Sequence, residues 1–401
     1  MAANLEAMKP VPQLFHPPVI NRLSMVQQMD ARHKVPQMNG IHGGLVSSTD
    51  KAFVLLYAGG YQPGFSNNPL SGCYLVYDAS NNSLSAIPQL PDPSSFFGIG
   101  RGAAILSTSK GTYMVAELVG ASSGFPNAVL FLWKSCSRTQ DGQWIRRDVL
   151  LPQVFSPDYF FRIDMVFTHA DSQVCWVDLL KGVLICNLKE PTEPKFTFVE
   201  LPMGFSIDIP HRRRPRTEEF RTMGSVGGAI KFATLHGYYE ELSHEEVLLK
   251  TWTLSHDLKW VAGKDVCVSD LSDSYIDENL PMVTPSFPVL GIDKPEVVYL
   301  VLDKIDSVNV KDVLGHVSGV NNICKAQYVI GLDTDKKEVI CCIKSVPDST
   351  TPRFSNIIAT EFKAHLKCPM EVLPSSFLFR STLFLPSSWF HCAIINFGIL
   401  Y

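Results

Sequence analysis

Between Phe160 and Pro202 the alternation of apolar and polar positions predicts four strands in 43 residues. Phe161, Ile163, Met165 and Phe167 alternate with Arg162, Asp164 and Val166, the pattern of a strand with one buried face. His169-Ala170-Asp171-Ser172 is a polar turn, and Val174-Cys175-Trp176-Val177-Asp178 follows as a second strand. Gly182 supplies the conformation that a tight turn needs. Val183-Leu184-Ile185-Cys186 is apolar on both faces and is therefore an interior strand. A Pro-rich loop, Asn187 to Pro194, leads to Phe196–Leu201, which Pro202 stops. Four short antiparallel strands in this length match a propeller blade, whose repeats run ~40–50 residues.

The same plan recurs along the chain. Phe53–Tyr57 is a strand, and Cys73-Tyr74-Leu75-Val76-Tyr77-Asp78 is the next after a Gly-, Pro- and Asn-rich loop. Ser83–Ile87 returns, closed by Pro88 and Pro91. Ala128–Lys134 and Gln143–Leu151 form a hairpin, and Leu249–Leu254 and Leu258–Val261 bracket Ser255-His256-Asp257. Val297–Asp303 ends in Asp, as does Tyr328–Asp333, which Val339–Ile343 follows. Asp78 and Asp178 lie 100 residues apart, the length of two ~50-residue units. An Asp at a strand end is a turn-former that bonds its own loop. Helix signals are few. The fold expected is mainly β, a degenerate kelch- or WD-like propeller of about six or seven four-stranded antiparallel blades.

Three regions differ in texture. Residues 1–45 show no sustained period and are expected to be poorly ordered, with a short strand near Val19-Ile20. Residues 46–365 hold the propeller-like domain. Residues 366–401 form an apolar tail broken by prolines 369, 374 and 386. Its final 15 residues are too short to cross a bilayer, which takes about 20. The expectation is that this tail is foreign to the propeller; the competing reading is a closing strand of the last blade.

Composition narrows the function class. In a chain of 401 residues, 46% hydrophobic and 18% charged residues describe a soluble globular protein. A net charge of -4 gives no bias toward nucleic acid or anionic membranes. No signal-peptide core and no run of ~18 apolar residues is present. Ten cysteines are scattered without a C-x-x-C. Cys175 and Cys186 lie in apolar strands and read as reduced core thiols of an intracellular protein.

Several motifs suggest chemistry without the context that chemistry needs. Gly98-Ile99-Gly100-Arg101-Gly102 lacks the preceding strand and following helix of a dinucleotide fingerprint, and reads as a tight turn. Gly224-Ser225-Val226-Gly227-Gly228 lacks the Lys-Ser/Thr of a P-loop and reads as a hairpin or bulge. His244-Glu245-Glu246 is not H-E-x-x-H, and the histidines are too dispersed for a metal set. The basic run His211-Arg212-Arg213-Arg214-Pro215-Arg216 reads as a solvated loop, with a localisation signal or anion patch as the alternative. No catalytic, cofactor-binding or metal residue is assigned, and no cofactor is expected.

The run from Cys175 to Asn187, Cys-Trp-Val-Asp-Leu-Leu-Lys-Gly-Val-Leu-Ile-Cys-Asn, resembles the signature of a plant family expanded in grasses, a domain of unknown function numbered sixteen-eighteen. Tyr74–Asp78 with Ser83–Pro88, Gly100–Ala104, Arg221–Gly224 and Thr251–Leu254 are similar to further parts of it. The resemblance spans roughly residues 45–345. It implies likeness to the kelch-like propeller regions that follow F-box motifs in plant substrate adaptors, and no catalytic residues. The first 45 residues carry no F-box-like helical segment.

The expected function is a non-enzymatic protein-interaction module with a protein partner, inside the cell in cytoplasm or nucleus. A β-propeller hydrolase or carbohydrate-binding protein is one alternative. The substrate-recognition part of a ubiquitin-ligase adaptor is another.

Overall fold

In the sheets formed before residue 201, runs that are apolar on both faces become the inner strands. In this computed structural model the described residues are 8–13, 21–27, 43–59, 72–108, 111–121, 126–135, 142–152, 161–189, 194–209, 214–243, 245–271, 280–292, 294–311, 317–345 and 394–399. The chain divides into two compact units: residues 1–15, 20–215 and 356–401, and residues 16–19 and 216–355.

The first unit opens with β1 (Met8–Gln13) and β2 (Asn21–Gln27), antiparallel to one another. Its first meander runs β3 (Gly43–Asp50), β4 (Phe53–Gly59), β5 (Gly72–Asp78) and β6 (Ser83–Ile87), hydrogen-bonded in sequence order. The second has β7 (Phe96–Phe97) and β8 (Ala103–Ser107) both paired to β9 (Tyr113–Ala121), followed by β10 (Asn127–Lys134) and β11 (Ile145–Leu150). Strands β7 and β8 act as one interrupted strand, and Gly98–Gly102 is the interruption. The third is β12 (Met165–His169), β13 (Gln173–Asp178), β14 (Gly182–Asn187) and β15 (Phe196–Glu200).

The second unit holds β16 (Arg221–Val226), β17 (Ala229–His236), β18 (Leu248–Leu254), β19 (Trp260–Ala262) and the short β20 (Val266–Cys267), which also pairs with β18. Its other sheet is β21 (Ser286–Leu290), β22 (Val297–Lys311), β23 (Val317–Asp333) and β24 (Glu338–Ser345). Last in the chain, β25 (Ile394–Ile399) pairs antiparallel with β2 in the first unit.

The core of the first unit lies between faces of consecutive sheets. Leu55, Tyr57, Tyr74 and Val76 pack with Ile105, Val115, Phe131 and Trp133. On the other face of the second sheet, Ala116, Leu118 and Leu130 pack with Val174, Trp176 and Leu184. Each inner strand is thereby buried on both sides, which is why its sequence is a continuous apolar run rather than an alternating one. The outer β6 keeps the period of two, exposed and covered in turn.

The mainly β architecture and the antiparallel four-stranded meanders agree with the sequence. The number does not: among the described residues five such sheets form, not six or seven. Sheets vary in length, and β22 and β23 alone take up 15 and 17 residues. Val297–Asp303 is the first part of β22 rather than a strand ending at Asp303. The strand expected over Phe161–Phe167 is Met165–His169, and the turn begins at Ala170, where Ala170 and Asp171 take positive φ. Within residues 1–45, β1, β2 and the start of β3 form, while Val19-Ile20, where a short strand was expected, lies outside the described residues. The loop residues 60–71 and 137–141, the basic residues 211–213, His244 and tail residues 366–393 lie outside the described residues.

Candidate functional site

The tight turn after β13 gathers a cluster of buried charge. Trp176 is fully buried, and its indole N–H donates to the Gly102 carbonyl at 2.8 Å. Two residues on, Asp178 is fully buried as well. Its Oδ1 accepts the Leu180 N–H at 3.0 Å, closing the turn, and its Oδ2 accepts the Arg162 N–H at 3.1 Å. Asp164 enters from the segment before β12, and its Oδ2 accepts the Leu179 N–H at 2.9 Å. Arg214 bridges both carboxylates: its Nη2 is 2.7 Å from Asp178 Oδ1 and also pairs with Asp164 Oδ2. The Arg214 side chain is only 5% exposed. The basic run is therefore not a solvated loop where it is described. Arg214 is a buried countercharge, and Arg216 stacks on Phe287 with its guanidinium carbon 5.1 Å from the ring centroid.

Buried carboxylates with this many donors are held in place. Such an arrangement positions backbone; it leaves little acceptor capacity for a substrate. Asp78 and Asp333 perform the smaller version of the same task. Asp78 Oδ1 accepts Ser80 N–H at 2.8 Å, and Asp333 Oδ1 accepts the Asp335 and Lys336 N–H groups at 3.0 Å. All three are the turn-formers that the sequence indicates. They are not equivalent by position. Asp78 and Asp333 end the third strand of their sheets, whereas Asp178 ends the second. The 100-residue spacing is thus not two whole repeats.

The Gly98–Gly102 turn is no phosphate cradle. Gly98 and Gly100 take φ of 77° and 86°, and a Cβ on Gly100 would stand 2.6 Å from the Tyr57 ring. The Gly100 N–H donates to the Glu117 carboxylate, and its carbonyl accepts the Ser47 hydroxyl at 2.7 Å. Glu117 also accepts the Tyr74 hydroxyl. It is fully buried, and desolvation pushes its carboxyl up to about 7 against the pull of those two donors. Sequence reasoning passed over Glu117. The signal was available: it is the single charge in the run Met114-Val115-Ala116-Glu117-Leu118-Val119.

The end of β3 was passed over too. Ser48 Oγ accepts the Ile105 N–H at 2.8 Å, and Asp50 Oδ2 accepts the Ser107 N–H at 2.5 Å. Two side chains of one strand, Ser48 and Asp50, thus satisfy the open edge of β8, while Ser47 bonds the Gly100 carbonyl in the turn before it. Burial raises the Asp50 carboxyl, and the bond from Ser107 and the neighbouring Lys51 partly offset this. Lys51 in turn reaches Asp171 at 2.9 Å.

In the second unit, Gly227 and Gly228 form the two-residue turn between β16 and β17, with φ of 58° and 76°. This is the hairpin read from the sequence, since both central residues of such a turn need positive φ. Gly237–Glu246, between β17 and β18, presents a different surface. Tyr239 and Leu242 are each 42% exposed among exposed Glu240, Glu241, Glu245 and Glu246. Among the described residues, no group of three or more His, Cys, Asp or Glu could hold a metal ion. Nor is any helix there long and apolar enough to cross a membrane.

Residues 176–299 match the model of a family described as a protein of unknown function, DUF1618. The match begins at Trp176, in β13 two residues before Asp178, and takes in less than half of the chain. No curated protein matches the sequence. Among solved structures, the chain is similar to dihydro-heme d1 dehydrogenase NirN in complex with DHE, at 13% identity and a TM-score of 0.26, covering 86% of this chain and 80% of that one. It is also similar to apo AztD from Citrobacter koseri, at 11% identity and a TM-score of 0.25, covering 76% of this chain and 93% of that one. Likenesses this remote carry no functional argument.

Proposed function

We propose that this chain is a non-enzymatic protein-binding module, its strands serving as a scaffold for partner-recognising loops. The observation that carries this reading is the Gly237–Glu246 loop, where Tyr239 and Leu242 stand half-exposed among four exposed glutamates. An exposed tyrosine with an exposed leucine in one loop is a composition that partner-recognising surfaces use. The carboxylates that a hydrolase would use point the same way. Asp164, Asp178 and Glu117 are buried and engaged by backbone N–H groups, Arg214 and Tyr74. The resemblance to F-box-associated kelch-like regions supports a narrower version, in which the bound protein is presented for ubiquitin transfer. Buried free thiols at Cys73, Cys175 and Cys186 support an intracellular setting.

The test replaces Tyr239 and Leu242 by Ser and the four glutamates by Gln. Quantitative affinity capture then compares this variant with the wild-type chain. At an unchanged melting temperature, we expect the variant to lose a specific set of captured proteins. A captured set that is identical for both chains overturns the reading.

A further inference from the structure

Glu117 sits on β9 where the first and second sheets of the first unit pack face to face, and the proposed binding loop does not include it. Among the described residues, the groups placed against it come from both sheets. From β5 the Tyr74 hydroxyl donates to Oε2; from the Gly98–Gly102 turn the Gly100 N–H donates to Oε1. Tyr57 on β4 packs edge-on to Tyr74, with ring centroids 5.1 Å apart, and against Gly100. Cys73 lies beside Tyr74, its thiol pushed up to about 11 by burial and so neutral. The cross-strand neighbours are Ala103 on β8 and Phe131 on β10. Among the described residues no Lys, Arg or His pairs with Glu117. An ionised carboxylate here has two neutral dipoles for company and no countercharge, in a wall of aromatic rings.

We propose that Glu117 is a proton-operated clasp across the seam between these two sheets, tight when its carboxyl carries a proton and weakened when it does not. Both states can be bonded. In the neutral state the carboxyl O–H donates to the Tyr74 oxygen, while the other oxygen accepts Gly100. In the ionised state Tyr74 reverses and donates, and the buried charge is left without a cation. The cost of that charge falls on the seam, because β5 and the Gly100 turn hold the carboxyl from the first sheet's side and the Gly98–Gly102 interruption.

The sign follows from linkage. The ordinary carboxyl value is 4.5, and in the folded chain it stands at about 7. Between those values the folded form holds a proton that the opened form releases, so the clasp is at full strength below about 4.5 and weakens until about 7. Above that it is flat. Physiological acidification therefore tightens the seam.

Native-state hydrogen exchange of β9 and Gly98–Gly102 amides in the full chain, corrected for intrinsic rates, reads this directly. We expect the wild-type opening constant to rise up to tenfold per pH unit from about pH 5 to about pH 7 and then level. Glu117→Gln, which mimics the neutral acid, is expected to stay flat. Tyr74→Phe removes a donor that stabilises the charge, so its levelling point should move to higher pH. Parallel profiles for wild type and Glu117→Gln overturn the proposal. Should Glu117→Gln fail to fold, an unshifted levelling point in Tyr74→Phe overturns it.

Discussion

The indole N–H of Trp176 donates to the carbonyl of Gly102, 74 residues earlier in the chain, at 2.8 Å. One bond thus ties the second strand of the third sheet to the start of β8 in the second. The same carbonyl accepts the Leu118 N–H at 3.3 Å. The ring fills the space between sheets, 5.8 Å from the Phe196 centroid. Its two contributions are separable. Trp176→Phe keeps most of the packing and removes the donor, and should cost about 1–2 kcal/mol. Trp176→Ala removes both and should cost about 3–5 kcal/mol. Urea unfolding with an unchanged m-value measures each. Equal losses for the two variants would show that the bond, not the ring, matters.

Arg214 should be the most sensitive position of the basic run. Arg214→Ala leaves Asp164 and Asp178 buried without their shared cation, an arrangement that costs about 3–5 kcal/mol. Neutralising the acids as well, with Asp164→Asn and Asp178→Asn added to Arg214→Ala, should recover part of that loss, since the uncompensated charge is gone. A cycle that treats the two acids as one site, measured by chemical denaturation, gives the coupling. A loss below about 0.5 kcal/mol for Arg214→Ala, the range of surface substitutions, would mean that Arg214 is not a buried countercharge.

These two residues mark where the sequence was readable. Trp176 stands in a strand apolar on both faces, and such a run has only one place in a layered sheet, the interior. The inner strands β4, β5, β13 and β14 were legible for that reason. Arg214 was not, because a charge run reads as solvated unless its partners are known, and Asp164 and Asp178 are 50 and 36 residues away. Strand β3 escaped notice because its polar Ser47, Ser48 and Asp50 look like loop residues; they are polar because Ser48 and Asp50 satisfy the edge of β8 and Ser47 bonds the Gly100 carbonyl. Sheet number was misjudged because length divided by a constant repeat ignores the long β22–β23 ladder, which outruns β21 and β24.

The three turn-forming aspartates should rank by how many structures they serve. Asp78→Ala and Asp333→Ala remove a carboxylate that serves mainly its own turn, and each should cost about 1 kcal/mol. Asp178→Ala also unbinds the Arg162 N–H and half of the Arg214 bridge, and should cost at least twice as much. Denaturant midpoints for the three single variants decide the order. Equal costs would reduce Asp178 to an ordinary turn residue and remove the reason for treating its cluster as special.

The last prediction concerns the C-terminus. The apolar tail after residue 365 was expected to stand apart from the strand framework. Its residues 394–399 are β25, in register with β2 from Asn21↔Ile399 to Val26↔Ile394. Strand β2 therefore has β1 on one side and β25 on the other. A chain ending at residue 365 would keep β1 and β2 as a two-stranded ribbon with an open edge. Such a ribbon is marginal in water and prone to pair with other chains. We expect the shortened chain to melt several degrees lower, at ~2–4 °C for each kcal/mol lost, and to aggregate on heating. Asn396→Pro in the full chain offers an independent check, because it removes a ladder position opposite Ser24 without removing the tail. It should reproduce part of the drop. A shortened chain that stays soluble at the full-length melting temperature, together with a silent Asn396→Pro, would make the tail dispensable and restore the expectation from its texture.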